Sequence, residues 1–156
     1  MSQLSKSLKE FQANSVVYYN LVLGFHLNTE SVLMRQSRIL FKDIHEQVHP
    51  TIYDVSETLR RIGEESLYTL EEYSYHQTLG QVKPDTYCGV EMSQHLLPIT
   101  KKMVDHCKLI LELAYIQKEF DIIDTFSDIL KRYKTWSWFL ESSLKLPPNP
   151  WTSLKD

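Results

Sequence analysis

One stretch of the chain repeats side chains able to bind metal or move protons at a constant interval. His45, His49, Tyr53 and Glu57 recur every four residues. On an α-helix that interval draws one slowly drifting stripe. Imidazoles at i and i+4 have the spacing of paired metal ligands. Pro50 lies inside the stretch and has no backbone N–H to donate, so it frees a nearby carbonyl oxygen. Glu46-Gln47-Val48-His49 also matches the Glu-x-x-His pattern of metal sites inside helical bundles. That pattern should occur on two helices, and this chain carries it once, with Glu46 pointing away from the apolar stripe. The competing reading of the whole stretch is a polar face that packs against another subunit. A second group, Asp121, Asp124 and Asp128, is acidic. It reads either as a lure for cations or as carboxylates favoured by a helix N-terminus. His76, His95 and His106 are scattered and read as surface or hydrogen-bonded histidines.

The stripe sits in the strongest helical signal of the sequence. Phe41, Ile44, Val48, Ile52, Val55, Leu59 and Ile62 share one face at alternating steps of three and four. This predicts a helix over about Val32 to Ile62, stopped by Gly63. Pro50 predicts a kink near Glu46–Pro50, but the stripe keeps its phase, which favours one bent helix. A first helix over about Leu4 to Leu27 carries Leu4, Leu8, Phe11, Tyr18, Val22 and Phe25 inward. Asn28-Thr29-Glu30-Ser31 forms the turn between the two. The period breaks over 64–90, where Thr69 to Gln77 reads as one short capped helix. A third long helix is expected from Ser93, as N-cap, to about Lys118, with Leu97, Val104, Cys107, Leu111 and Ala114 inward. The fourth runs from about Ile122 to Leu144, with Ile123, Phe126, Leu130, Tyr133 and Leu140 inward.

Connection lengths set the topology. Short joins make helices one and two, and helices three and four, antiparallel neighbours. The ~28 residues between helices two and three far exceed an ordinary connection. A helix of ~30 residues is ~45 Å long, and a connector of that size can run its full length. The expected architecture is all-α: a ferritin-like four-helix bundle over 1–145, with one long crossover carrying a short helix. Residues 146–156 are expected to form an extended tail.

Composition agrees and excludes other classes. The 156 residues suit one domain, and 4 Gly with 6 Pro supply too few turns for a sandwich or barrel. A net charge of −3 excludes an overall basic nucleic-acid binder. The longest apolar stretch, Val16 to Phe25, is too short to span a bilayer, so no membrane partner is expected. No secretory signal is visible, and two cysteines, Cys88 and Cys107, are too few for a disulfide framework. The expected setting is the cytoplasm.

These residues resemble a known family. Phe25-His26-Leu27-Asn28, followed without gaps by helix two to Glu57 and Leu59-Arg60-Arg61-Ile62-Gly63, resembles the Dps family of mini-ferritins. Its members close helix one with Phe-His-Trp-Asn. They place a His twelve residues on, an Asp and a Glu four apart on helix two, and then Leu-Gly. Leu8-Lys9-Glu10-Phe11-Gln12-Ala13-Asn14, Thr69-Leu70-Glu71-Glu72 and Trp138-Phe139-Leu140 are similar to the family's first, crossover and last helices. The resemblance covers roughly residues 4–144. It implies a homo-oligomeric shell, a dodecamer with two-fold interfaces, that oxidises ferrous iron and stores the ferric mineral. The family's ferroxidase site lies between subunits, with its histidines on one chain and its Asp and Glu on the partner.

Carried over by position, half of that ligand set remains. His26 falls on the first histidine and Glu57 on the glutamate. Arg38 stands at the second histidine position and Tyr53 at the aspartate. A guanidinium stays protonated and offers no lone pair, so Arg38 cannot ligate iron and repels it. The resemblance therefore implies iron binding at His26 and Glu57, with ferroxidase activity weakened or lost. Asp54, adjacent to Tyr53, is turned about 100° around the helix and makes a poor substitute; His49 and Tyr53 are weaker metal candidates. Asp124 and Asp128 fall where family members line the pores through which iron enters. The alternative is a non-catalytic shell or scaffold, with Arg38 and Glu57 paired across the interface where the metal would sit. A DNA-protecting role is the weaker alternative. The segment before helix one carries no Lys or Arg, and the C-terminal tail has only Lys145 and Lys155. DNA binding through tails is therefore not expected. Leu146, Trp151 and Leu154 of the tail could instead pack on a neighbouring subunit.

Overall fold

The computed structural model of the chain describes residues 1–80 and 83–145; the expected tail over 146–156 lies outside the described residues. The elements are α1 (Gln3–Asn28), α2 (Met34–Arg61), α3 (Leu70–His76), α4 (Gly89–Gln117) and α5 (Phe120–Ser143). The all-α bundle expected from periodicity is the fold observed. Helix α1 packs along α2, and α4 along α5; α1 also contacts α4. None of these helices is long and apolar enough to cross a membrane.

All six inward residues expected on α1 are buried. On α2, Phe41, Ile44, Val48, Val55 and Leu59 are buried, while Ile52 and Ile62 flank the core half-exposed. The helix runs unbroken through Pro50 from Met34 to Arg61. On α4 the inner face is rotated from the expectation. Leu96, Ile99 and Met103 join the expected Val104, Cys107 and Ala114 inside, with Ile110, and Leu97 and Leu111 are only partly covered. On α5, Ile122, Phe126, Ile129, Tyr133, Trp136 and Leu140 are inside, with Ile123 and Leu130 on the flank. Aliphatic side chains on both edges of a stripe satisfy the helical period. Which edge faces inward is set by the volume the opposing helices leave. Here an aromatic knot fills that volume: Phe11, Tyr18, Phe126, Tyr133 and Trp136 meet at ring separations of 4.6 to 6.2 Å. The Tyr18 hydroxyl is satisfied inside it by Thr100 Oγ1 at 2.8 Å.

The starts of α2 and α4 correct the sequence-based boundaries. Helix α2 begins at Met34, because Ser31 takes φ 104° and breaks the helical path before it. Helix α4 begins at Gly89, four residues before Ser93, which is buried in the helix interior. A tertiary contact sets that start. The Glu30 N–H donates to the Tyr87 carbonyl at 2.6 Å, and Gly89 presses on Ser37 so closely that a Cβ there would overlap it. The crossover thus returns the chain to the end where α2 began.

Two amides of α1 hold the crossover. Gln12 Oε1 accepts from the Leu67 N–H at 2.9 Å, and its Nε2 donates to the Leu67 carbonyl at 3.0 Å and to Ser56 Oγ at 2.8 Å. Asn14 Oδ1 accepts from the Thr78 N–H at 2.7 Å, and Nδ2 donates to Thr78 Oγ1 at 2.9 Å. Between these clamps Thr69 and Glu72 form a reciprocal capping box that starts α3. Asn14 also approaches His106 Nδ1 at 3.4 Å, and Ser7 Oγ meets His106 Nε2 at 3.0 Å. His106 is therefore a hydrogen-bonded histidine, as its isolation in the sequence suggests.

Two predictions follow from this buried polar layer. Gln12→Ala leaves the buried Leu67 N–H without its partner, while the Leu67 carbonyl keeps the Tyr73 hydroxyl at 2.9 Å, and should lower stability in a urea titration by about 1–3 kcal/mol. Burial pushes the His106 imidazole down to about 4 from its ordinary 6.5. The unfolded chain takes up that proton first, so the contribution is complete above pH 6.5 and is lost as pH falls through about 4. Its size is on the order of 3 kcal/mol. Urea midpoints of wild type and His106→Gln, measured on both sides of this window, should show a pH dependence that the variant lacks.

Candidate functional site

Side chains with site chemistry gather on the outer face of the α1–α2 hairpin. Antiparallel packing sets Phe25 against Phe41 in the core, with ring centroids 5.5 Å apart. One step round α1, the same register sets His26 against α2. Its Nδ1 lies 3.1 Å from the Arg38 carbonyl. A carbonyl only accepts, so Nδ1 carries the proton and Nε2 keeps its lone pair. The His26 ring stacks on His45 at 5.4 Å with 30° between planes. Two turns earlier on α1, the Tyr19 ring lies 5.8 Å from His45 and 5.8 Å from His49. His26, His45, Tyr19 and His49 thus form one row along the groove between the helices.

His45 is half-buried, as are His26 and Tyr19, whereas His49 is exposed. The His45 Nδ1 is shielded and has no hydrogen-bond partner. Burial lowers its pKa, and His26 beside it lowers it further; Glu46 acts in the opposite sense and Lys42 in the same. Lys42 is itself held toward Glu46 at 3.9 Å. The sequence placed His45 with His49 and treated His26 separately. The structure joins His26 to His45 instead, through a register that counting outward from the Asn28–Ser31 turn would reveal.

The remaining residues lie elsewhere. Tyr53 and Glu57 are exposed together on the last third of α2, where the Glu57 carboxylate holds the Tyr53 phenol above its ordinary pKa. Glu57 also faces Arg61 at 3.8 Å. Glu57 is twelve residues beyond His45, about 18 Å along the helix. His26 and Glu57 of one protomer therefore cannot share an ion. Arg38 is exposed and has no acidic partner among the described residues. Asp54 faces α5, where Arg132 approaches it at 3.7 Å and donates to Thr51 Oγ1 at 3.0 Å. Asp121 accepts from Arg61 at 3.1 Å. Asp124 is exposed, and exposed Asp128 stands 3.8 Å from Lys131. Among the described residues, no three His, Cys, Asp or Glu side chains converge on one metal position. Sequence reasoning missed Tyr19 as a wall of the row. An aromatic at the edge of an apolar stripe carries no signal until the facing helix is known.

No family profile matches the sequence, and no curated protein matches it by sequence. Solved structures do match by shape. Dps from Thermosynechococcus elongatus superposes with a TM-score of 0.89 at 19% identity, covering 99% of this chain and 95% of that one. A Dps protein from Vibrio cholerae, described as a member of a broad superfamily of ferritin-like diiron-carboxylate proteins, gives 0.86 at 20% identity over 92% of this chain and 89% of its own. Helicobacter cinaedi CAIP gives 0.85 at 22% identity over 92% and 100%. The fold is that of the Dps proteins, the ferritin-like bundle with one long crossover.

The stacked pair has a solution signature. Replacing His26 with Gln removes the neighbouring charge that depresses His45. Histidine ring resonances followed by NMR should then show His45 titrating closer to the ordinary 6.5, with His106 unchanged. An unmoved His45 would mean that the two rings do not meet in solution.

Proposed function

We propose that the chain is a Dps-type shell subunit that binds and stores iron, with ferroxidase activity weakened or lost. The observation that carries this reading is His26 on a Dps fold: its Nδ1 proton is tied to a backbone carbonyl at 3.1 Å, and its Nε2 lone pair is left as a ligand. Ferrous iron takes imidazole and carboxylate ligands and needs an open position for oxygen. His26 supplies the imidazole. Because Glu57 is distant within the protomer, the carboxylate comes from a second copy, across a two-fold interface.

Exposed apolar side chains support assembly. Leu27, Val32, Leu33 and Ile39 stand out at the α1–α2 corner, and Tyr115, Ile116 and Phe120 at the α4–α5 turn. Such patches favour coverage by other subunits. A closed dodecamer, with Asp124 and Asp128 drawing cations toward its interior, is the assembly proposed. Arg38 is what weakens the chemistry. It brings a permanent positive charge to the end of α1 where the second imidazole should be, and Tyr53 removes the partner's second carboxylate. The alternative, a non-catalytic scaffold held by Arg38 against the partner's carboxylate at position 57, is favoured by the lack of any acidic partner for Arg38 among the described residues of its own chain. Nothing in the described surface favours DNA.

Iron oxidation separates the readings. Ferrous iron is added in air and ferric absorbance is followed. Wild type should oxidise iron more slowly than the double variant Arg38→His plus Tyr53→Asp, by about ten-fold or more, the scale of losing metal-site residues. Light scattering on the same samples should report a dodecamer. A wild type as fast as the double variant would refute the weakened site; a monomer at all concentrations would refute the shell.

A further inference from the structure

We infer that His26 and His45 form a divalent-metal site within a single protomer, for an ion of the zinc(II) or cobalt(II) class. The inference does not rest on the iron reading, since both ligands belong to one chain and no carboxylate from a partner is required. Borderline ions of this class favour imidazole nitrogen, whereas hard cations seek oxygen.

Spacing is the first argument. Two imidazoles bound to a tetrahedral ion at ~2.0–2.1 Å hold their ring centroids about 5.2 Å apart. The two rings already stand 5.4 Å apart. Their planes are 30° from parallel, and the broad χ2 well of histidine lets the His45 ring, which no hydrogen bond holds, turn its lone pair toward the anchored His26. The second argument is the tautomer. The Arg38 carbonyl takes the Nδ1 proton of His26, and an imidazole anchored through one nitrogen to a carbonyl is the usual arrangement of a metal-ligating histidine. Third, His45 Nδ1 is shielded and unpartnered, so no protein group fixes that ring's tautomer or competes with an ion for it. A buried polar atom without a partner costs free energy that a bound ion would recover. Tyr19 closes one side of the pair. Arg38 contributes its carbonyl here, while its guanidinium is exposed, and the Lys42 ammonium is drawn toward Glu46. With no third His, Cys, Asp or Glu converging among the described residues, the other positions fall to water. The site is therefore open and exchangeable.

The assembled protein is titrated with cobalt(II) chloride near neutral pH and its visible d–d bands are followed, with zinc(II) chloride in parallel by calorimetry. Wild type should bind one ion per chain. His26→Gln and His45→Gln should each weaken binding by about ten-fold or more, with circular dichroism unchanged. His49→Gln should bind as wild type does. In the wild type, zinc should shift the ring resonances of His26 and His45 and spare those of His49. Binding that survives His45→Gln, or that is lost in Glu57→Gln, would overturn the inference and place the ion between subunits. Cobalt binding that needs His45, in a protein that neither stores nor oxidises iron, would leave this site standing while the iron reading falls.

Discussion

The register of α1 against α2 is the constraint on which the other features depend. Once Phe25 meets Phe41 in the core, the remaining pairs along the hairpin follow at helical intervals. His26 reaches the Arg38 carbonyl and the His45 ring, Tyr19 reaches His45 and His49, and Gln12 reaches Ser56. A slip of one turn would move every one of these contacts by about 5.4 Å. The register is in turn protected at the closed end of the hairpin. Ser31 bends the chain at positive φ, Glu30 bonds to Tyr87, and Gly89 admits Ser37.

The polar residues on α1 explain how a long connection stays in place. A crossover of this length has no regular ladder to satisfy its backbone, and α3 accounts for only seven of its residues. Gln12 and Asn14 supply that satisfaction by clamping Leu67 and Thr78 at the two sides of α3. Being buried, these amides bind at a low local dielectric, where a satisfied bond is strong and an unmet one is expensive. They tie the crossover to the same helix that carries His26, so site and connection share one rigid support.

Helix α5 shows why some carboxylates are unavailable to an ion. Arg132 reaches over α2 to Thr51 and Asp54, Trp136 Nε1 donates to Gln47 at 3.3 Å, and Asp121 accepts from Arg61. These bonds pin α5 to α2 along its length. They use Asp54 and Asp121 for packing, whereas Tyr53 and Glu57, a short rotation round the same helix, remain exposed.

Periodicity and loop length were enough to determine four long helices, two antiparallel pairs and a single long crossover, because hydrophobic burial on a helix must repeat with the helix. Sequence also placed the inward face of α1 and most of that of α2, where one apolar stripe dominates. It could not choose between two aliphatic edges on α4 and α5, since that choice depends on the volume left by Phe11, Tyr18 and Trp136. Nor could it place the start of α4, which a backbone contact with α2 decides in preference to the side-chain cap at Ser93. For the site, spacing named His45, His49, Tyr53 and Glu57 as residues of interest, and the family resemblance added His26. Tertiary structure decided their grouping: His26 with His45, and Tyr53 with Glu57 at the other end. The physical reason is that spacing orders side chains along one helix, while distances between helices are set by how their cores interlock.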